Sequence, residues 1–171
     1  GARLDDTLAA DPVPAAMRDA LGRIAAPGTV GVPEGFHGLT VRVLFPPQAV
    51  AVHSERHEWP SMRDLHRTVD FSTQLSFYLT LRTPESGGDL IVYHRPPPGR
   101  EPRMEGVPPE RAHAALSAFG ETRLNPGVGD LLLFNGGRYN HRVTPVRGGE
   151  RWTIGGFASP GRDPGTLWTW S

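Results

Sequence analysis

Cysteine and lysine are both absent from this chain, and each absence excludes a class of chemistry. Without cysteine there is no thiol nucleophile, no thiolate metal ligand and no disulfide framework. All 18 basic residues are arginine, so no lysine is present to form a Schiff base with a carbonyl substrate. A metal site in this protein would therefore have to use imidazole and carboxylate ligands.

Net charge and long apolar runs are lacking as well. The 18 acidic residues balance the 18 basic ones, so no overall field draws the protein to nucleic acid or to an anionic membrane. No apolar run approaches the roughly 20 residues that span a bilayer, and the N-terminal residues show no signal-peptide core. We therefore expect a cytoplasmic protein with a small-molecule substrate and with no nucleic-acid or membrane partner. The sequence does not determine the oligomeric state.

The N-terminal residues, 1–38, have a helical rather than a β pattern. An alanine-rich stretch that starts near Pro14 places Met17, Leu21 and Ile24 at helical spacing. This spacing predicts one helix that packs an apolar face against the rest of the protein. We expect residues 1–38 to form a helical support.

Short β-prone runs separated by Pro, Gly and Asp dominate the chain from residue 39 onward. Seven such runs predict an all-β sandwich or jelly roll with flanking helices, in a single domain over 1–171. We expect the β core over 39–158, a candidate lid over the proline-rich 94–126, and a C-terminal tail over 159–171. The runs are LTVRVLF, AVAVHSE, QLSFYLTL, DLIVY, DLLLF, HRVTPV and RWTIGGFA.

Two of the seven histidines have a sequence setting that suits metal binding. His53 and Glu55 are two positions apart in the alternating run AVAVHSE, so their side chains should project from the same strand face. His141 opens a distant β-prone run and could supply a second imidazole. Two histidines and one carboxylate form the facial triad that holds non-haem Fe(II) with open positions for substrates. Rival ligands within the neighbouring sequence are Glu58, Asp64, Asp70, His57 and His66.

Arg151 follows His141 by ten positions, after the turn RGGE. Its planar guanidinium can bind a carboxylate through two parallel hydrogen bonds, which suits the far end of a dicarboxylate that chelates a metal at its near end. Thr153 shares the strand face of Arg151 and could add a hydroxyl. The pattern predicts a co-substrate anchor beside the metal.

The segments around these residues resemble the iron(II)- and 2-oxoglutarate-dependent oxygenases. The resemblance covers Leu39 to Ala158 and rests on VRVLFPPQAVAVHSE, QLSFYLTLRTPESGGDLIVY and NPGVGDLLLFNGGRYNHRVTPVRGGERWTIGGF. It implies a double-stranded β-helix, the jelly-roll fold also found in cupins. It further implies Fe(II), 2-oxoglutarate and O2 as reactants, His53, Glu55 and His141 as iron ligands that make up the catalytic centre, and Arg151 as the anchor of the distal carboxylate.

Glu55 departs from the commonest form of the family pattern, which has Asp as the second ligand. A minority of members have glutamate there, whereas halogenating relatives have Ala or Gly, which leaves a place for chloride on the iron. The presence of Glu55 therefore predicts oxygenation rather than halogenation.

Other polar residues are candidates for the remaining contacts in the pocket, with sheet packing or solvent exposure as the alternative role. Gln74 and Tyr78, together with Thr153, are candidates to bind 2-oxoglutarate. Candidates to bind the substrate are Arg42, Trp59, Asn135 and Arg142.

The sequence favours a hydroxylase that acts on an unactivated C–H of a small molecule, as in bacterial specialised metabolism. Three alternatives remain open. The same chemistry could hydroxylate a protein or peptide side chain, or it could lead to desaturation or cyclisation. A non-enzymatic β-sandwich binding module is the third.

Overall fold

The computed structural model of the protein describes residues 12–25, 28–55, 62–102 and 106–171. Its first element is helix α1 (Pro12–Ala25). Met17 and Leu21 are buried on one side of this helix, as expected from their spacing, whereas Ile24 is 52% exposed. The apolar face of α1 is therefore narrower than the sequence pattern indicated, and it packs against Phe77, Ile154 and Leu167 of the β core.

Ten strands and two further helices follow α1 among the described residues. The helices are α2 (Arg63–Thr68) and α3 (Pro109–Ser117), and a 3-10 turn covers Phe71–Thr73. The strands are β1 (Thr29–Gly31), β2 (Thr40–Leu44), β3 (Val50–His53), β4 (Leu75–Arg82), β5 (Leu90–Tyr93), β6 (Glu121–Leu124), β7 (Leu131–Phe134), β8 (His141–Val143), β9 (Arg151–Pro160) and β10 (Thr166–Trp170).

The strands form two sheets. The larger sheet has the order β1-β10-β9-β4-β7, with β2 also paired to β9, and the smaller sheet has the order β3-β8-β5-β6. β9 is long enough to pair with β2 through its first half and with β10 through its second half, while β4 lies along its other edge.

Side chains from both sheets meet in the space between them. Leu44 of β2 packs with Leu90 of β5 and Val143 of β8, and Tyr78 of β4 lies against the same cluster. Because successive strand residues point to opposite faces, Ile154 packs outward toward α1 while its neighbours Arg151 and Thr153 point inward. The inner face of β9 thus carries the polar residues of the candidate site.

The predicted fold class is confirmed, because the core consists of two β-sheets with a few flanking helices. Each of the seven β-prone runs contains a strand. The segment 159–171, expected as a tail, contributes β10 to the larger sheet, and the described part of 94–126 contains α3 and β6. Leu116 of α3 packs against the outer side of the smaller sheet, on Ile91 and Tyr93.

Candidate metal centre

His53, Glu55 and His141 come together where β3 pairs with β8. His53 and His141 are direct partners in the antiparallel register, and their ring centroids are 4.2 Å apart. Glu55 follows β3 by two residues, and its Oε1 lies 3.7 Å from Nε2 of each histidine. One potential ligand atom from each of these residues lies within 4.8 Å of the other two. Within the described ranges, no other group of three or more such side chains is close enough to hold a metal ion.

Backbone carbonyl groups fix the orientation of both imidazole rings. Nδ1 of His53 donates to the carbonyl oxygen of Ala51 at 2.8 Å, and Nδ1 of His141 donates to that of Tyr139 at 3.0 Å. A carbonyl oxygen can only accept, so Nδ1 carries the proton in both rings. The Nε2 lone pairs are thereby left facing Glu55, which is the arrangement that a divalent cation needs.

The charge distribution also suits a cation. Burial acts to raise the pKa of Glu55, but interactions with His141, His53 and Ser76 outweigh it, so the pKa is well below its usual range. For His53, burial acts to lower the pKa, yet the contacts with Glu55 and the Ala51 carbonyl leave it raised. A carboxylate that stays ionised between two imidazoles attracts positive charge, which a proton on His53 or a metal ion could supply.

Glu55 is fixed by its surroundings. Its backbone N–H donates to the carbonyl of Gly136 at 3.0 Å, and the hydroxyl of Ser76 donates to Oε2. A Cβ placed on Gly136 would overlap the Ser76 hydroxyl and lie 2.5 Å from the same oxygen, so a side chain there would displace this hydrogen-bonded pair. Ser76 on β4 and Gly136 after β7 therefore hold this carboxylate beside the two histidines.

Arg151 lies in the same cavity, deep between the sheets. It is only 6% exposed, and no carboxylate within the described part of the chain lies within 4.0 Å of its guanidinium. Its Cζ lies 4.9 Å from the centroid of the Tyr78 ring. Burial lowers the pKa of Arg151, with Tyr78 opposing the shift, and arginine nonetheless keeps its charge in proteins. A buried cation without an acidic partner is costly, so this position favours an anionic ligand.

Tyr78 adds a second orphaned polar group. Its hydroxyl is buried and makes no hydrogen bond of normal geometry with the residues that the structure describes, although the guanidinium of Arg151 lies close to it. Burial raises the pKa of Tyr78, with the charge of Arg151 opposing it, so the phenol is a neutral donor. Arg151 and Tyr78 together fit a carboxylate such as the distal one of 2-oxoglutarate.

One cavity of about 190 Å³ contains all of these groups. Seven of the residues singled out from the sequence line it: His53, Glu55, His141, Arg151, Thr153, Tyr78 and Arg42. The other lining residues come mainly from the inner faces of both sheets: Thr40, Val50, Ser76, Phe77, Leu90, Phe134, Val143, Gly155, Gly156, Phe157 and Ser171. None of the lining residues comes from 94–126.

Three other predicted pocket residues lie outside this lining. Gln74 is 1% exposed at the start of β4, and its Nε2 has no hydrogen-bond partner within the described ranges. Asn135 accepts a hydrogen bond from the backbone N–H of Arg138 at 2.8 Å and so closes a turn. Arg142 points away from the cavity, because it alternates with His141 on β8, and it lies 3.2 Å from Nε2 of His113. Trp59 lies outside the described residues.

Sequence reasoning did not predict the contacts that two residues make with Glu55. Ser76 shares a strand face with Gln74 and Tyr78 in the sequence pattern, which made it a candidate to hydrogen-bond the C1 carboxylate of 2-oxoglutarate rather than Glu55. Gly136 belongs to a Gly-Gly pair that is typical of any turn. Its role depends on a contact across the fold, which no local pattern predicts.

The two-sheet fold and the candidate ligand set are those expected of iron(II)- and 2-oxoglutarate-dependent oxygenases. The sequence model of the family described as "Carrier-protein-independent halogenase WelO5" matches residues 21–171, which is most of the chain. The chain belongs to this family of 2-oxoglutarate-dependent non-haem iron enzymes. No curated protein matches it.

Two solved structures of one dioxygenase support the fold. An N-substituted L-amino acid dioxygenase from Burkholderia ambifaria AMMD is 22% identical, with a TM-score of 0.50 over 76% of this chain and 51% of that one. Its complex with alpha-KG is 23% identical, with a TM-score of 0.51 over the same shares. A prolyl-4-hydroxylase from Pseudomonas putida is 20% identical over 68% of this chain and 49% of that one, with a TM-score of 0.41. The chain thus spans about half the length of these structures.

Within the described residues, no helix has the length and apolar character needed to cross a membrane.

Proposed function

We propose that this protein hydroxylates an unactivated aliphatic C–H of a small molecule, with Fe(II), 2-oxoglutarate and O2 as reactants. The observation that carries the proposal is that one cavity joins two imidazoles and a carboxylate to a buried arginine without an acidic partner. The first set fits a divalent ion such as Fe(II), and the arginine fits a co-substrate with a free carboxylate.

In this proposal His53, Glu55 and His141 hold the iron through Nε2, a carboxylate oxygen and Nε2. The iron, once bound, supplies the activation of O2 that is coupled to oxidative decarboxylation of 2-oxoglutarate to succinate and CO2. Arg151 binds the distal carboxylate of 2-oxoglutarate. Tyr78 donates its hydroxyl to the same group, and Thr153, which is 4% exposed, lies next to it on the inner face of β9.

Apolar side chains complete the site and exclude water from it. Leu90, Phe134 and Val143 line the cavity around the proposed iron ligands, and Phe134 packs edge-on against the ring of His141 with centroids 4.9 Å apart. Such a wall keeps a bound aliphatic group close to the iron and limits side reactions with solvent. A cavity of about 190 Å³ favours a small substrate over a folded protein surface.

Halogenation is a second candidate, because the matching family is described by the name of a halogenase. The Glu55 carboxylate opposes it in this chain, since Glu55 occupies the ligand position that a halide would need. Product analysis by mass spectrometry in the presence of chloride distinguishes the two outcomes. Oxygen incorporation supports hydroxylation, and chlorine incorporation by the unmodified protein would replace our proposal.

Anaerobic titration tests the site itself. Addition of Fe(II) and 2-oxoglutarate should produce the weak visible charge-transfer band of a 2-oxoglutarate chelate. His141→Ala should lose the band, whereas His94→Ala should keep it, because His94 is exposed and contacts Thr122 away from the cavity. A band that is absent from the wild type, or that persists in His141→Ala, would refute the assignment.

A further inference from the structure

Arg42 gives the cavity a second guanidinium, separate from Arg151. It lies at the middle of β2, opposite Thr153 of β9, whereas Leu44 two positions on lies opposite Arg151. Thr40, Arg42 and Leu44 share one strand face, and the buried Leu44 shows that this face is the inner one. Arg42 itself is exposed, so its side chain lines the cavity where the cavity opens to solvent.

Among the residues that the structure describes, no acidic side chain pairs with Arg42. The structure gives its guanidinium no hydrogen bond or ion pair within the described ranges, and Glu55 is the only acidic residue among those that line the cavity. Glu55 is already engaged by His53, His141 and Ser76. After burial, which is the largest cause, the charge of Arg42 contributes to the lowered pKa of Arg151, so the two cations act on each other.

The charges in the loaded site leave Arg42 unbalanced. The positive charge of a divalent ion and Arg151 equals the negative charge of Glu55 and the 2-oxoglutarate dianion. Arg42 then remains as one uncompensated cation at the entrance of a largely apolar cavity. A cleft with an excess of one sign concentrates ligands of the opposite sign.

We propose that Arg42 binds the carboxylate of the primary substrate, so that the substrate class is small aliphatic or aromatic monocarboxylates. The inference rests on the proposed function, since it assumes that 2-oxoglutarate occupies Arg151. A carboxylate matches the planar fork of a guanidinium and carries the single negative charge that balances the site. A phosphate monoester would bring about two negative charges near neutral pH and would leave the site with an excess of one negative charge.

Paired probes test this substrate class on the anaerobic Fe(II)–2-oxoglutarate complex. The probes are 4-methylpentanoate, phenylacetate and N-acetyl-L-leucine, each beside its primary amide, together with phenyl phosphate, and binding is measured by calorimetry. At least one carboxylate should bind about tenfold or more tightly than its amide, a difference of about 1.4 kcal/mol. That preference should disappear in Arg42→Gln and persist in Arg95→Gln, which removes another exposed arginine outside the cavity.

The outcomes separate this inference from the proposed function. A wild type that forms the charge-transfer band but binds no carboxylate, or binds amides equally well, overturns the inference alone. Tighter binding of phenyl phosphate than of every carboxylate overturns the carboxylate assignment. If Arg42→Gln raises the 2-oxoglutarate concentration needed for the band as much as Arg151→Gln does, Arg42 is a second co-substrate anchor and the inference fails. Absence of the band in the wild type removes the proposed function and the inference together.

Discussion

The hydroxyl of Ser76 donates a hydrogen bond to Oε2 of Glu55, across 21 positions of sequence. Ser76 is 6% exposed on the inner face of β4, and Oε1 of the same carboxylate faces both histidines. The two oxygens of Glu55 therefore have separate partners. One is fixed by the larger sheet, and the other is left for the cation that we propose between His53 and His141.

Removal of this hydroxyl should weaken metal binding. Ser76→Ala leaves Oε2 of Glu55 without its donor, and loss of such a partner to a metal-binding carboxylate typically costs about tenfold to a hundredfold in affinity. Anaerobic calorimetry with Co(II) measures this loss directly. Ser86→Ala, which removes an exposed hydroxyl far from the site, should bind Co(II) like the wild type. Equal affinities in both variants would show that Ser76 does not position Glu55.

Gly136 has no side chain and so leaves room for the carboxylate of Glu55, which is one methylene longer than that of an aspartate. The effect of substituting Gly136 should therefore depend on the residue at position 55. In Gly136→Ala the new methyl group overlaps the Ser76 hydroxyl as well as Oε2 of Glu55. It therefore displaces this hydrogen-bonded pair, and we expect Co(II) affinity to fall about tenfold or more. Gly137→Ala is the matched control, because a Cβ there is 3.4 Å from the nearest atom and neither glycine has a left-handed backbone. A Glu55→Asp background should recover part of the loss, since aspartate ends one methylene earlier. Melting temperatures show whether each variant is folded.

The strands that the sequence predicted lie in apolar or alternating apolar–polar runs between Pro, Gly and Asp residues. Three strands escaped prediction because local pattern says little about them: β1 has only three residues, β6 is the polar segment ETRL, and β10 follows a Pro- and Gly-rich turn. They pair with β10, β5 and β9, respectively. Their stability comes from a partner across the fold, which a local sequence window does not contain.

The residues of the candidate site were likewise predictable only where a local pattern placed them. Period-two alternation was enough to place His53 and Glu55 on one face, and both lie in the cavity. Alternation alone did not indicate where the side chains point for residues close to a strand end or a turn. Arg142 follows His141 directly and therefore points to the opposite side of β8, where it contacts His113. Asn135 lies just beyond the end of β7, where its side chain closes a turn instead of facing the metal site. The metal and co-substrate roles of the lining residues stay predictions.

The shifted pKa of His53 predicts a pH dependence of the metal-free protein. A histidine whose folded pKa lies above its unfolded value of 6.5 stabilises the fold fully below that value, and the contribution disappears as the pH rises through the folded pKa. Urea unfolding of the metal-free wild type should therefore show a loss of stability as the pH rises above 6.5 that is absent from His53→Gln. Parallel pH profiles for the two proteins would contradict this.

Arg151→Gln should chiefly affect the co-substrate. Loss of a charge-assisted hydrogen bond costs about 1.5–3 kcal/mol, which corresponds to roughly a tenfold to hundredfold rise in the 2-oxoglutarate concentration that half-saturates the charge-transfer band. Co(II) affinity without 2-oxoglutarate should be unchanged. Arg147→Gln controls for the loss of one positive charge at an exposed position. An unaltered 2-oxoglutarate titration in Arg151→Gln would exclude the proposed anchor.

Shortening Glu55 distinguishes the two reactions that the family relationship leaves open. Glu55→Gly removes the carboxylate while Ser76 and both histidines remain, so a coordination position opens beside the hydroxyl of Ser76. We expect this variant to lose hydroxylation, to bind Fe(II) more weakly, and to show a charge-transfer band that shifts when chloride is added. The wild-type band should not respond to chloride, because Glu55 occupies that position in the proposed ligand set. Sulfate at equal ionic strength is the control for the salt effect, and a chloride-sensitive wild type together with an insensitive Glu55→Gly would place the halide elsewhere and remove Glu55 from the ligand set.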